Sequence, residues 1–93
     1  MTPAQRHMEL CARTGCVVHR EYHDERRYGH VHHIAKGSSK RSDFMVACLC
    51  EDCHTLGGVH GDGVKAFCRL YKLTDEYALL GLQNKYLAID GLR

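Results

Sequence analysis

Apolar residues recur at helical spacing near the start of the chain, where Ala4, Met8, Cys11 and Ala12 fall along the segment AQRHMELCAR. Thr2 stands where an N-cap belongs, Pro3 suits the first helical position, and Gly15 ends the run, so a short amphipathic helix is predicted there. The pattern then changes. After the charged stretch EYHDERRY, the segment HVHHIA has the β-branched residues and partial alternation of a strand. A loop, KGSSKRSD, separates it from FMVACLC, a second apolar run of strand length, and the two runs predict a hairpin with a wide connection.

Beyond the hairpin, TLGGVHGDG holds four glycines within seven residues, which disfavours a regular helix. The helical period returns at Val64, with Val64, Phe67, Cys68, Leu70 and Tyr71 on a shared face. Thr74 is then the expected cap of DEYALLGLQNKYLAI, whose first turn is acidic and whose Tyr77, Leu80 and Leu87 form an apolar stripe for the core. No repeat, linker or low-complexity segment divides the chain. The expected product is one α+β domain over residues 1–93, a short strand hairpin with flanking helices.

Length limits what the core alone can do. A chain of 93 residues buries only about two-thirds of its unfolded surface, so a metal or disulfide clamp would help it. Six Cys and eight His are available. The opening MTPAQRHMEL has no apolar signal core or cleavage pattern, which implies a reducing, cytoplasmic setting in which Cys and His more often bind metal than pair as disulfides. No apolar run approaches the roughly 18 residues needed to span a membrane.

Metal chemistry is where the spacing speaks most directly. Cys50 and Cys53 have the two-residue gap that turns two thiolates inward on one knuckle, and Cys16 and His19 repeat that gap in CVVH, just after Gly15. The expectation is a structural Zn²⁺ held by Cys16, His19, Cys50 and Cys53, with Cys11 in place of His19 as the rival set. Cys48 and Cys68 are expected in the core, and His7, His23 and His30 on the solvated surface. Such a clamp would pin the hairpin and set His54 against the first strand, forming a second, open metal site. His32 and His33, adjacent on that strand, would face opposite ways. One can then bind metal while the other takes a proton.

These motifs, in order GCVVH, HHI, FMVACLC, CEDCH and GVHG, resemble the HNH, or ββα-metal, nuclease family. Within it they are similar to the phage recombination-enhancement nucleases, which act on DNA bound in RecA-type recombinase filaments. The resemblance runs from about Gln5 to Leu92 and departs in two places. The first knuckle ends in His19 rather than Cys, and apolar FMV occupies the position where many family members carry an Asn.

The resemblance implies a zinc-stabilised ββα-metal fold and a DNA endonuclease. It makes His33 the general base and His32 and His54 ligands of a catalytic divalent ion, Mg²⁺, Mn²⁺ or another transition metal. His60 would be a third ligand or a contact to the scissile phosphate. A neutral imidazole is suited to take a proton from water near neutral pH. The net charge is only +2, but eight of the thirteen Lys and Arg lie between Arg6 and Arg41. Of these, Lys36, Lys40 and Arg41 form a basic finger that would contact DNA phosphates without reading sequence. The alternative class is a zinc-stabilised DNA-binding module without catalysis. The sequence specifies no oligomeric state.

Overall fold

A computed structural model of the chain describes residues 1–34, 42–56 and 63–92. In chain order the elements are helix α1 (Pro3–Arg13), helix α2 (Val17–Tyr22), strand β1 (His30–His33), strand β2 (Val46–Leu49), a short π-helical segment (Asp52–Leu56), helix α3 (Val64–Leu70) and helix α4 (Ala78–Ile89). The result is a small α+β structure built on a two-stranded antiparallel hairpin. No helix among the described residues is long and apolar enough to cross a membrane.

Helix α1 begins where the sequence predicts. Thr2 Oγ1 accepts from the Gln5 backbone N–H at 3.1 Å, and the Gln5 side chain accepts from the Thr2 N–H at 2.8 Å, a reciprocal capping box with Pro3 in the first turn. The helix stops at Thr14, and Gly15 then takes φ +73°, a conformation that costs glycine little. A side chain there would also meet the Arg27 carbonyl oxygen at 2.8 Å. That close approach lets Cys16 N–H donate to the same oxygen at 2.9 Å and turns the chain into α2.

The hairpin pairs His30 with Leu49, Val31 with Cys48, His32 with Ala47 and His33 with Val46. Gly29 fits before it because a Cβ would lie 2.6 Å from the Leu49 carbonyl oxygen. All four residues of β2 are buried, packed between α1, α2 and α4. That is why its sequence is continuously apolar rather than alternating. Gln83 on α4 is buried yet satisfied: it accepts from the Cys48 N–H at 2.7 Å and donates to Thr14 Oγ1 at 3.0 Å, fastening α4 to β2 and to the end of α1. Leu79 and Leu87 carry the apolar face of α4 into the core.

Several expectations are corrected. Helix α4 starts at Ala78, with Tyr77 at its N-cap, rather than at Asp75 behind a Thr74 cap; Asp75 Oδ1 instead accepts from the Tyr77 N–H at 2.9 Å in the turn before it. Tyr77 and Leu70 are exposed, so neither joins the core stripe. His7 is not a surface histidine; it is buried, 3.5 Å through Nε2 from Cys11 Sγ and stacked near Phe44. The sequence also gives no warning of α2, whose six residues are too few to display a helical period.

Helix α2 is tied to the end of α4 by Arg20, whose two terminal nitrogens donate to the Asp90 carboxylate at 2.8 and 3.0 Å while its guanidinium lies 4.2 Å above the Tyr86 ring. Arg26 also donates to Asp90, at 3.0 Å. The bidentate bond to Arg20, before other causes, holds the Asp90 carboxyl below its ordinary value. A depressed carboxylate stabilises the fold above its unfolded pKa and loses that contribution as pH falls through the folded one. Asp90→Asn is therefore expected to cost on the order of 1.5 kcal/mol at neutral pH. Urea unfolding should show the difference from wild type narrowing in acid, below the ordinary aspartate range.

Candidate metal centre and histidine pair

Four ligands meet where α2 packs beside the end of the hairpin. Cys16 precedes α2, His19 lies within it, Cys50 follows β2, and Cys53 sits on the π-helical segment. All four are buried, and their ligand atoms lie within 4.8 Å of one another. His19 Nδ1 stands 3.5 Å from Cys16 Sγ, 3.4 Å from Cys50 Sγ and 3.4 Å from Cys53 Sγ. One ring nitrogen cannot serve three sulfurs equally as a hydrogen-bond partner. It can stand at the fourth corner of a tetrahedron, where Zn–S and Zn–N bonds of ordinary length put N and S about 3.6 Å apart. The donor set therefore fits a structural metal such as zinc.

Electrostatics agree with that fit. The Cys16 thiol is lowered to about 4, first by the hydrogen bond from Cys53 and then by the backbone N–H groups of Cys50 and His19, against the cost of burial. Cys53 is pushed upward, first by its hydrogen bond with Cys16 and then by burial. Thiolates gathered in a buried pocket repel one another, and a cation between them would relieve that repulsion. Cys11, the rival ligand, lies apart on α1 beside His7, so His19 completes the set. Cys48 is a core thiol as expected, raised to about 12 by burial. His19 is braced from behind by His23, whose ring is 4.8 Å away and whose Nε2 is 3.2 Å from the Tyr71 hydroxyl.

The strand alternation of β1 separates the two adjacent histidines. His32 turns into the protein, where its Nε2–H donates to Glu76 Oε1 at 2.6 Å with both groups buried. The His54 ring lies 5.1 Å away, edge-on to it at 67°. His33 turns the other way and donates through Nε2 to Asp43 Oδ1 at 2.8 Å. Each histidine thus has its own carboxylate, which sets the tautomer in which Nδ1 carries the lone pair. Burial strengthens the first pair, since a charge-assisted bond excluded from water is weakly screened.

Of the residues expected at a catalytic metal, the structure brings His32 and His54 together; His60 lies outside the described residues, as do Lys36, Lys40 and Arg41. Among the described residues only the Cys16, His19, Cys50 and Cys53 set gathers three or more ligand atoms within 4.8 Å. Glu76 is the group that sequence reading missed. It reads as one of two adjacent acids before the last helix, and only the tertiary fold brings it to a histidine 44 positions earlier.

Comparison of the chain with protein-family models, with curated proteins and with solved structures finds no match in any of the three.

Proposed function

We propose that this protein is a metal-dependent DNA endonuclease of the HNH, or ββα-metal, type. One observation carries the reading: a hairpin anchored beside a Cys₃His metal set presents two consecutive histidines on opposite faces, each bonded to its own carboxylate. A helical segment bearing His54 follows the second strand, which completes a ββα order.

In this reading the Cys₃His set is structural and closed, and the chemistry belongs to the other histidines. His33 takes a proton from water at Nδ1, while Asp43 holds Nε2–H and stabilises the imidazolium that forms. The water oxygen attacks phosphorus and the P–O3′ bond breaks, and the leaving O3′ takes a proton from solvent water, giving a 5′-phosphate and a 3′-hydroxyl. A divalent ion held by His32 and His54 would, when bound, neutralise charge on the phosphate and on the leaving oxygen. Glu76 acts behind His32, as carboxylates do behind metal-bound imidazoles, fixing the ring and raising its basicity. DNA is the substrate of this reading, and a RecA-type recombinase filament is the partner that the motif resemblance suggests.

The test is a plasmid-nicking assay of zinc-replete protein with Mg²⁺, with Mn²⁺ and with no added divalent ion, each with and without recombinase-coated single-stranded DNA. Metal-dependent nicks that DNA ligase can seal are expected. Absence of cleavage under every condition, with DNA binding retained, would instead assign the chain to the non-catalytic DNA-binding modules. The apolar FMV segment, at the position where many family members carry an Asn, favours that second reading.

Glu76→Gln gives a finer check. The amide still accepts the His32 N–H but carries no charge, so the fold and zinc content are expected to hold. The Mn²⁺ concentration giving half-maximal nicking should rise by about 10- to 100-fold. An unchanged Mn²⁺ midpoint would leave Glu76 as a packing group only.

A further inference from the structure

The Cys₃His set is enclosed unevenly. Cys16, Cys50 and Cys53 are at most 3% exposed while His19 is 8% exposed, so the edge of the set nearest water is the imidazole. Two side chains stand at that edge. His23 comes four residues after His19, one helical turn along the same face, and its ring lies 4.8 Å from the His19 ring at an interplanar angle of 37°. Its backbone N–H donates to the His19 carbonyl at 3.0 Å, which holds the two residues in that relation.

The second side chain arrives from another part of the fold. Tyr71, at the end of α3, packs against the core cluster that contains Cys16, Cys50 and Cys53, with its ring 5.1 Å from that of Phe67. Its hydroxyl is 3.2 Å from His23 Nε2, and the two rings meet edge to face, 5.9 Å apart at 87°. Tyr22 adds a ring 5.0 Å from Tyr71. A layer of rings therefore runs from α3, over the end of α2, to the His19 corner of the set.

These contacts are of the kind that break locally. His23 is exposed and Tyr71 half-buried, and water can compete for the hydrogen bond between them, so parting them costs less than unfolding the domain. A four-ligand structural site has no open position, so loss of a bound ion first requires a ligand to move. His19 is the least enclosed of the four, and the His23 ring lies against it.

We propose that His23 and Tyr71 form a cover over the His19 corner, and that local opening of this cover sets the rate at which the Cys₃His set exchanges its metal. Tyr71 acts through His23, as a positioning residue whose hydroxyl keeps the imidazole against His19. The inference rests on the metal-binding reading of the four ligands and is independent of the nuclease reading.

The experiment follows release of zinc from the loaded protein into an excess of a chromogenic chelator, read by absorbance. Wild type is compared with His23→Ala, Tyr71→Phe, the double variant, and Leu87→Val. Leu87 is buried with Cys11 and Val46, in a cluster separate from that of the four ligands, so Leu87→Val weakens the whole fold while leaving the cover in place. Zinc stoichiometry and circular dichroism establish that each variant is loaded and folded at the start.

The wild-type rate is expected to level off as chelator is raised, because opening becomes limiting. His23→Ala should release zinc about 10-fold faster, the scale of lost ring contacts. Tyr71→Phe, which keeps the ring and removes only the hydroxyl bond, should do so about 3-fold faster. The double variant should be no faster than His23→Ala, since the hydroxyl acts through the imidazole. Leu87→Val should keep the wild-type rate.

A wild-type rate in His23→Ala overturns the cover, as does a rate that rises with chelator without limit. Equal acceleration by Leu87→Val assigns release to global unfolding and overturns it too. Additive effects of His23→Ala and Tyr71→Phe overturn the positioning role of Tyr71. Wild-type protein that takes up no zinc overturns the metal centre itself, and the cover with it.

Discussion

Cys53→Ser is expected to abolish zinc retention and with it the cooperative unfolding transition. The four residues join α2 to the end of β2 and the segment after it, so a metal held there would link the first and second halves of the described fold. Structural zinc contributes an apparent ~10–16 kcal/mol in small zinc-dependent folds, while a whole domain is stable by only ~5–15 kcal/mol. A 93-residue chain has no margin of that size in its core. Elemental analysis should give one zinc per chain in the wild type and none in the variant. Circular dichroism on heating should show a sharp transition replaced by a broad, shallow one. Cys11→Ala provides the contrast: that thiol lies outside the set, so zinc stoichiometry should remain at one. A Cys53→Ser protein that still melts cooperatively with zinc bound would show that the cluster is a group of packed thiols rather than a metal site.

How much of this was legible in the sequence depends on the range over which each feature is determined. The Cys₃His set could be read because each half of it is local: two ligands separated by two residues, once at Cys16 and His19 and again at Cys50 and Cys53. The α1 start was equally local, written in Thr2, Pro3 and Gln5. The hairpin could be read from its two apolar runs, though β2 is four residues, shorter than FMVACLC suggests. Other features are settled by packing and leave no local trace. The six residues of α2 are held by Val17 and Val18 in the core and His19 in the cluster, not by period or cap. Leu70 and Tyr77 fit an apolar stripe by spacing, but the helix and turn they occupy leave them outside the core. Glu76 has no signature at all; an acid becomes a partner for His32 only after α4 has packed against β2.

On the proposed nuclease reading, His33→Ala carries the largest expected loss in activity. Removing a positioned general base costs about 10²- to 10⁴-fold in rate, and the structure supplies a reason to expect that this histidine can be removed without collapse. His33 lies on the opposite strand face from the buried His32 and is not one of the four Cys₃His residues, and its described partner, Asp43, is half exposed. Zinc content should therefore stay at one per chain, and DNA affinity should remain at the wild-type value, while metal-dependent nicking falls by at least about two orders of magnitude. Asp43→Asn should fall less far, because an amide can still accept the Nε2–H yet cannot stabilise the imidazolium with a full charge. The two variants together separate roles that a single one confounds. Loss of nicking in His33→Ala with normal zinc and DNA binding identifies a group acting on the water. Wild-type nicking in that variant would move the base elsewhere, and His32, committed to Glu76 at 2.6 Å, would be poorly placed to take over, so the assignment of the whole histidine pair would fall with it.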